Sequence, residues 1–427
     1  MSVPRKSIVI CIDGTWNYAG QKDEKGVLAN TNVYRFFNLL AWNPPSTPSS
    51  PEADLHAYQL AATKQNLKAD GFKRFDNAKG ETRQVALYYN GVGNPAEHGF
   101  WGRLVGGLLG HGANKIRNEA FYDLARLYHE GDSIYVFGFS RGAAIARMLC
   151  NHIRLYQLGK QGLMKDMVNY LPFRFFSFKK RLASEQAAPV KLLAVWDTVA
   201  AFGIPKNLFG IPFQRINLFK NLTISPNIEQ ALHMLSVDDQ RDAFQPTLMS
   251  PDLENKDRIT QIWFPGIHAD IGGGYAEKAL SDITLKFLLD YLLHHQLDRK
   301  DTEQENPGIA FRQQNLQDFI RTNLHPDPEA TMHIEDSLLY QKQVRDIPHD
   351  GFLHQSVIHR FLAKPMVYYP ANVIQYLKAL KERESFARLI DENTLDLAFK
   401  QEHFAKASTI IEKKIWIDQE RFVHLKK

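Results

Sequence analysis

Residues 138–142, Gly138-Phe139-Ser140-Arg141-Gly142, stand between a strand-like run at 133–137 and the helix-forming Ala143-Ala144-Ile145-Ala146-Arg147. A chain that turns from strand to helix within these residues has few conformations open to it. Glycines on either side let the two backbone arms pass closely, and the serine is pushed out of the sheet at the tip of a sharp turn. The G-x-S-x-G pattern in this setting predicts a nucleophile elbow with Ser140 as candidate nucleophile. The N–H of Arg141 then serves as one donor to a developing oxyanion, with the helix N-terminus behind it. Read alone, the pentapeptide also fits a glycine-rich turn carrying an ordinary serine. The β-branched and aromatic residues before it and the alanines after it favour the elbow.

Further strands are expected at 7–12, 84–89, 190–195 and 258–264, each a largely apolar run of the kind buried in a parallel sheet. Helices are expected at 113–128, 283–294 and 373–387, and residues 41–51, rich in Pro and Ser, read as a surface loop or insertion. Alternating strands and helices predict an α/β fold, a mostly parallel sheet flanked by helices, with helical insertions or a cap and a helical C-terminal region. The expected division is a catalytic domain at 1–295, with 160–190 and 204–230 as cap or lid insertions, followed by a mainly helical region at 296–427 packed on it or extending it. The glycine-rich stretch 91–112 lacks both the G-K-[ST] ending and the G-x-G-x-x-G spacing, so it reads as a flexible loop before a helix and not as a nucleotide cradle.

Composition narrows the function classes. The 52 Lys and Arg against 47 Asp and Glu leave a formal charge of +5 over 427 residues, too mild and too dispersed to point to nucleic acid. Cys11 and Cys150 lie in apolar surroundings and imply no disulfide framework. No run approaches the roughly 20 apolar residues that span a bilayer, and the apolar stretch after Arg5 and Lys6 is too short for a signal peptide. The default expectation is cytoplasmic, with delivery outside the cell only by a route that needs no cleaved signal.

A serine hydroxyl needs a base, and the base needs a group that fixes its tautomer. Two later strands end in Trp196-Asp197-Thr198 and in Gly266-Ile267-His268, so Asp197 and His268 are the expected acid and base, in the order Ser, Asp, His. The alternative for Asp197 is a helix-capping or turn aspartate. Asp270 is its rival as the acid, although its position suits orienting the loop Gly272-Gly273-Gly274 better. His152, His233, His294 and His295 fall in helical patterns and are less well placed. The loop Asp13-Gly14-Thr15-Trp16 follows the first strand, so backbone amides at Gly14 and Thr15 are the natural second oxyanion donors, with Asp13 as a loop or secondary acid. Among 16 histidines no H-E-x-x-H pair occurs, so neither a catalytic metal nor another cofactor is expected. The cluster at 170–181 combines Phe173, Phe175, Phe176 and Phe178 with Lys179, Lys180 and Arg181. It suits either a lid or peripheral membrane contact, or a cap whose phenylalanines turn inward.

Taken with Ile10 through Asn17, Val195 through Val199, Ala231 through Thr247 and Trp263 through Tyr275, these residues resemble a bacterial and fungal α/β-hydrolase domain family that includes the type VI secretion lipase effectors. The resemblance covers residues 7–295 and continues to Ile374. It implies Ser140 as nucleophile, Asp197 as acid, His268 as base and a phospholipid ester as substrate. Effectors of that family carry a larger membrane-targeting region than the short Lys- and Glu-rich tail here. A serine esterase of the lipase or phospholipase kind is therefore the leading reading. A small soluble ester or thioester is a second substrate class, and a catalytically silent scaffold used for binding is the alternative from another class. Protein partners and oligomeric state are not legible in the sequence.

Overall fold

Ser7–Ile12 forms β1, and every residue of it is buried. Its side chains alternate between two layers: Ile8, Ile10 and Ile12 pack with Leu124, Ile145 and Leu149, whereas Val9 and Cys11 pack with Val33, Phe36, Phe37 and Leu288. A strand apolar on both faces has to lie inside a sheet covered by helices on both sides. Each of these buried Ile and Val side chains contributes about 1.5–3 kcal/mol by leaving water.

The computed structural model describes residues 4–44, 50–93, 106–155, 188–199, 201–202, 216–217, 223–250, 258–295, 297, 308–313, 315–335, 341–348, 352–364, 367–368, 370–382, 388–390, 414–417 and 422–426. After β1 come α1 (Asn32–Leu39), α2 (Pro51–Lys64), β2 (Gly71–Asp76), β3 (Thr82–Tyr89), α3 (Gly106–Leu127), β4 (Ser133–Phe139), α4 (Ser140–Leu155) and β5 (Val190–Trp196). A small antiparallel pair, β6 (Ala201–Phe202) and β7 (Ile216–Asn217), precedes β8 (Ile228–Ser236), β9 (Ile259–Phe264), α5 (His268–Gly272), α6 (Ala279–His294) and α7 (Leu316–Asn323). The chain continues through β10 (Phe352–His354), α8 (Gln355–Ala363), α9 (Ala371–Glu382), β11 (Arg388–Ile390), β12 (Lys414–Ile417) and β13 (Phe422–Lys426).

The main sheet has 11 strands in the order β12-β13-β11-β10-β9-β8-β5-β4-β1-β3-β2. From β3 to β11 neighbouring strands run parallel, with β2 antiparallel at one edge and β13 and β12 antiparallel at the other. This is an α/β-hydrolase-like fold, a mostly parallel sheet between helical layers. The carboxyl ends of β1, β4, β5 and β9 lie along one edge, where a doubly covered sheet leaves room for ligand loops. Cys11 and Cys150 are free and buried, and no helix among the described residues is long and apolar enough to cross a membrane.

Several expectations are corrected. β8 carries no strand signature in the sequence, and His233 lies in this strand and not in a helix; Ala231, Leu232 and Met234 favour helices, but burial between β5 and β9 overrides that preference. β2 was also missed, because Lys73 and Arg74 break its apolar pattern. Lys73 is fully buried, its Nζ donating to the carbonyls of Phe37 (2.7 Å), Asn38 (3.1 Å) and Leu40 (3.3 Å) at the end of α1. In the glycine-rich stretch, α3 already starts at Gly106, and residues 94–105 lie outside the described residues. The loop expected at 41–51 is partly structured: Trp42 stacks edge-on against Tyr58 at 4.9 Å, and Ser50 caps α2. Beyond residue 295 the described residues hold strands as well as helices, and β10 pairs in parallel with β9, so they continue the main sheet. Leu235 and Trp263 share a core there with Leu353, Val357, Phe361 and Tyr376.

Candidate active site

All seven residues of β4 are buried, and the chain passes from Phe139 directly into α4 at Ser140. Ser140 sits at φ 58°, a left-handed conformation that costs a non-glycine residue about 1–3 kcal/mol and persists only where its surroundings impose it. The imposition is visible at the flanking glycines. A Cβ at Gly142 would lie 2.3 Å from the carbonyl oxygens of Ile12 and Asp13, and one at Gly138 would lie 2.7 Å from the Gly142 carbonyl. The elbow is thereby clamped against the end of β1. Gly142→Ala is expected to destabilise the protein by about 1–3 kcal/mol, measured by chemical denaturation, because backbone has to move to admit one methyl group.

Asp197 follows β5 at φ 40°, with its N–H donating to the Met234 carbonyl at 2.8 Å. Its buried carboxylate is fully engaged. Oδ1 accepts from the Ser236 N–H at 3.0 Å and from Arg345 Nη1 at 2.7 Å. Oδ2 accepts from His268 Nδ1 at 2.6 Å and from Arg345 Nη2 at 2.9 Å. Burial pushes the carboxyl toward the neutral form, but the Arg345 guanidinium and His268 overcome this and hold it well below the usual carboxylate range. An ionised carboxylate only accepts, so the His268 proton sits on Nδ1 and Nε2 is left as the acceptor.

His268 is the first residue of α5, its N–H donating to Asp239 Oδ2 at 3.1 Å. The imidazole lies between Phe139 (ring centroids 4.6 Å apart) and Phe244 (5.1 Å), and its buried Nε2 has no partner among the described residues. Phe139 immediately precedes Ser140, so this stacking brings the His268 imidazole to the elbow. The structure therefore gathers Ser140, Asp197 and His268 at one sheet edge.

Gly14 is equally close. A Cβ there would lie 3.2 Å from Ser140 Cβ, and it could not fit beside Phe139 at 2.9 Å. Its amide, however, is already taken, donating to Asp13 Oδ1 at 2.7 Å, which removes it from the expected pair of oxyanion donors. The neighbouring Thr15 has a buried Oγ1 without a partner among the described residues. Asp13 anchors this loop through Tyr88 Oη (2.6 Å) and Thr31 Oγ1 (2.7 Å), and burial pushes its carboxyl up to about 6 against those three hydrogen bonds. Trp16, at φ 63° and about half exposed, faces the Arg141 guanidinium at 5.6 Å.

Asp270 turns away from His268. Its Oδ1 meets His333 Nδ1 at 2.6 Å, and Oδ2 accepts from the Ile267 N–H at 3.1 Å, so it caps α5 and ties it to the segment around residue 333. The expected loop role thus falls on Ile267 and not on the glycines after it. His233 is structural: Nε2 accepts from the Thr198 N–H at 3.0 Å, beneath the Asp197 turn. Burial and nearby Arg147 lower it to about 3 and keep it neutral. Arg345, Asp239 and the two phenylalanines were not anticipated. Only Phe139, by its adjacency to Ser140, carried a signal. The aromatic and basic cluster at 170–181, with Phe173, Phe175, Phe176, Phe178, Lys179, Lys180 and Arg181, lies outside the described residues. Among the described residues no group of three His, Cys, Asp or Glu side chains is placed to hold a metal ion. A cavity of about 200 Å³ lined by Asp238, Arg241, His333, Glu335 and Lys342 opens beside Ile267, but none of Ser140, Asp197 and His268 lines it.

Two overlapping segments, residues 6–183 and 159–291, match the catalytic domain of T6SS phospholipase effectors of the Tle1-like type. YEL023C, an uncharacterised protein of Saccharomyces cerevisiae, is 23% identical over 265 residues, which is 58% of this chain and 33% of the yeast protein. Among solved structures, the Tle1 effector bound to the VgrG spike of the Type 6 secretion system is 19% identical, covering 64% of this chain and 51% of that one with a TM-score of 0.35. An uncharacterised protein from Pseudomonas aeruginosa is 17% identical, covering 66% of this chain and 45% of that one with a TM-score of 0.31. The chain spans a third of the yeast relative and about half of each solved structure.

Proposed function

The chain belongs to the Tle1-like phospholipase effector catalytic-domain family, and from that premise we propose that it is a serine esterase hydrolysing phospholipid or related lipid esters through an acyl-enzyme. The observation that carries this reading is the 2.6 Å hydrogen bond from His268 Nδ1 to Asp197, made beside a serine held at φ 58° at the end of β4. Fixing the proton on Nδ1 leaves the lone pair of Nε2 available to act as a base.

On this reading Nε2 takes the Ser140 proton as Oγ attacks the ester carbonyl, and the imidazolium is steadied by Asp197. Backbone N–H groups of Arg141 and Thr15 bind the oxyanion. The imidazolium then protonates the departing alcohol, leaving an acyl-serine. A water molecule activated by the same nitrogen attacks that acyl group, and collapse of the second tetrahedral intermediate frees the acid and restores Ser140. The donors are held by covalent geometry and hydrogen bonds before substrate arrives, so little reorganisation is needed when charge develops. With a yeast protein among the relatives, membership supports the chemistry and carries no particular delivery route.

The test is a panel of phospholipid vesicles, triglyceride emulsions and short-chain soluble esters. Turnover of the vesicles is expected to exceed that of monomeric soluble esters at equal ester concentration. Rapid turnover of soluble esters with no gain at a lipid surface would reassign the substrate class.

A further inference from the structure

Residues 341–345 run along residues 240–245 like a short added strand. Lys342 bridges Arg241 in antiparallel fashion, the Asp242 N–H donates to the Gln341 carbonyl at 2.9 Å, and the Gln343 N–H donates to the Gln240 carbonyl at 2.7 Å. Gln245 Nε2 adds a bond to the Gln343 carbonyl at 2.8 Å. This strap ends in Arg345, which is 1% exposed and directs its guanidinium fork onto both oxygens of Asp197. The same two nitrogens donate to the Ser236 carbonyl at 2.8 Å and to the Phe244 carbonyl at 2.6 Å. Arg345 therefore touches the acid and also the residue whose ring packs on His268.

We propose that Arg345 is a positioning residue for the hydrolytic reaction, a role that rests on the serine-esterase reading above. Its fork fixes the Asp197 carboxylate in the orientation that receives His268 Nδ1–H, and its bond to Phe244 holds one wall of the imidazole site. Two parallel N–H···O bonds specify the carboxylate plane as a single cation could not. The consequence concerns domain organisation: Arg345 lies beyond residues 6–291 that match the family's catalytic domain, so the C-terminal region completes the site.

The charge balance supplies a readout that a merely structural arginine would not move. The groups facing His268 are Asp197 with Arg345 at Nδ1, Asp239 at the backbone N–H with Arg241 paired to it, and the uncharged rings of Phe139 and Phe244. Arg345 offsets the Asp197 charge. Its removal leaves that carboxylate unopposed beside the imidazole, favours the imidazolium, and moves the acid limb of the pH–rate profile to higher pH.

Full-length Arg345→Gln and Arg345→Lys, with active sites counted by fluorophosphonate labelling, test the proposal on a soluble ester. For Arg345→Gln we expect kcat to fall about 100-fold, the loss typical of a slightly misplaced catalytic group, with KM unchanged. The acid limb should rise by about one pH unit. Arg345→Lys should keep the wild-type limb and recover part of kcat. A folded Arg345→Gln with wild-type kcat and limb, in a protein whose wild type labels at Ser140, overturns the role of Arg345 and leaves the esterase reading standing. A folded wild type that does not label overturns the esterase reading and the inference with it. If Arg345→Gln does not fold, the lysine variant decides: lower kcat with an unmoved limb supports the proposal, and wild-type kcat overturns it.

Discussion

Ser140→Ala is expected to abolish covalent labelling by a fluorophosphonate and to lower ester turnover on the order of 10⁶-fold, the loss seen when the nucleophile of a coupled serine triad is removed. The variant should fold, because Ser140 contributes a small side chain at the tip of the elbow and not to the apolar core. Alanine at φ 58° keeps the strain of the position and adds no bulk. Circular dichroism and a denaturation midpoint near wild type would separate loss of chemistry from loss of structure. Labelling that persists in Ser140→Ala would transfer the nucleophile to another residue, and substantial residual hydrolysis would remove the acyl-enzyme route.

Much of this architecture was legible because burial in a doubly covered sheet imposes a simple pattern. The segments of β1, β3, β4, β5 and β9 are largely apolar runs, and in each the turn or polar residues that follow mark the carboxyl edge. β8 escaped because its Ala, Leu and Met residues carry helical preference, and only its place between β5 and β9 makes it a strand. β2 escaped because Lys73, which looks like a surface residue, is a buried cation closing the carbonyls at the end of α1. Both errors concern tertiary context, which no local window holds.

The site divides in the same way. Ser140, Asp197 and His268 each follow a readable strand, so chain order and sheet edge were enough to bring them together. Arg345 had no such mark. It reaches Asp197 from 148 residues downstream, on a strap whose only regularity is backbone pairing with residues 240–245. Gly14 lies beside Ser140, but the hold of the preceding side chain on its amide depends on Asp13 being locked by Tyr88 and Thr31, which come from β3 and the start of α1.

Asp197→Asn tests the acid and the charge network together. A carboxylate accepts from Arg345, His268 and Ser236 at once, whereas an amide offers one oxygen and turns its NH₂ toward another donor. If the NH₂ faces His268, the imidazole shifts its proton to Nε2 and the serine loses its base. Turnover is then expected to fall by about 10⁴-fold. If it faces Arg345, the guanidinium keeps a charge with half its partner gone, and breaking such a buried pair costs about 3–5 kcal/mol. The stability loss has a pH signature. Because Asp197 is held well below its unfolded value, its contribution is complete above about pH 4 and is lost as pH falls from there through the folded value. Wild type and Asp197→Asn should therefore differ in urea denaturation at neutral pH and converge on acidification below about pH 4. Asp270→Asn is the control: Asp270 caps α5 and faces His333, so its loss should reduce turnover by about tenfold or less, in keeping with a cap worth ~1 kcal/mol. The reverse ranking of the two variants would transfer the acid from Asp197 to Asp270.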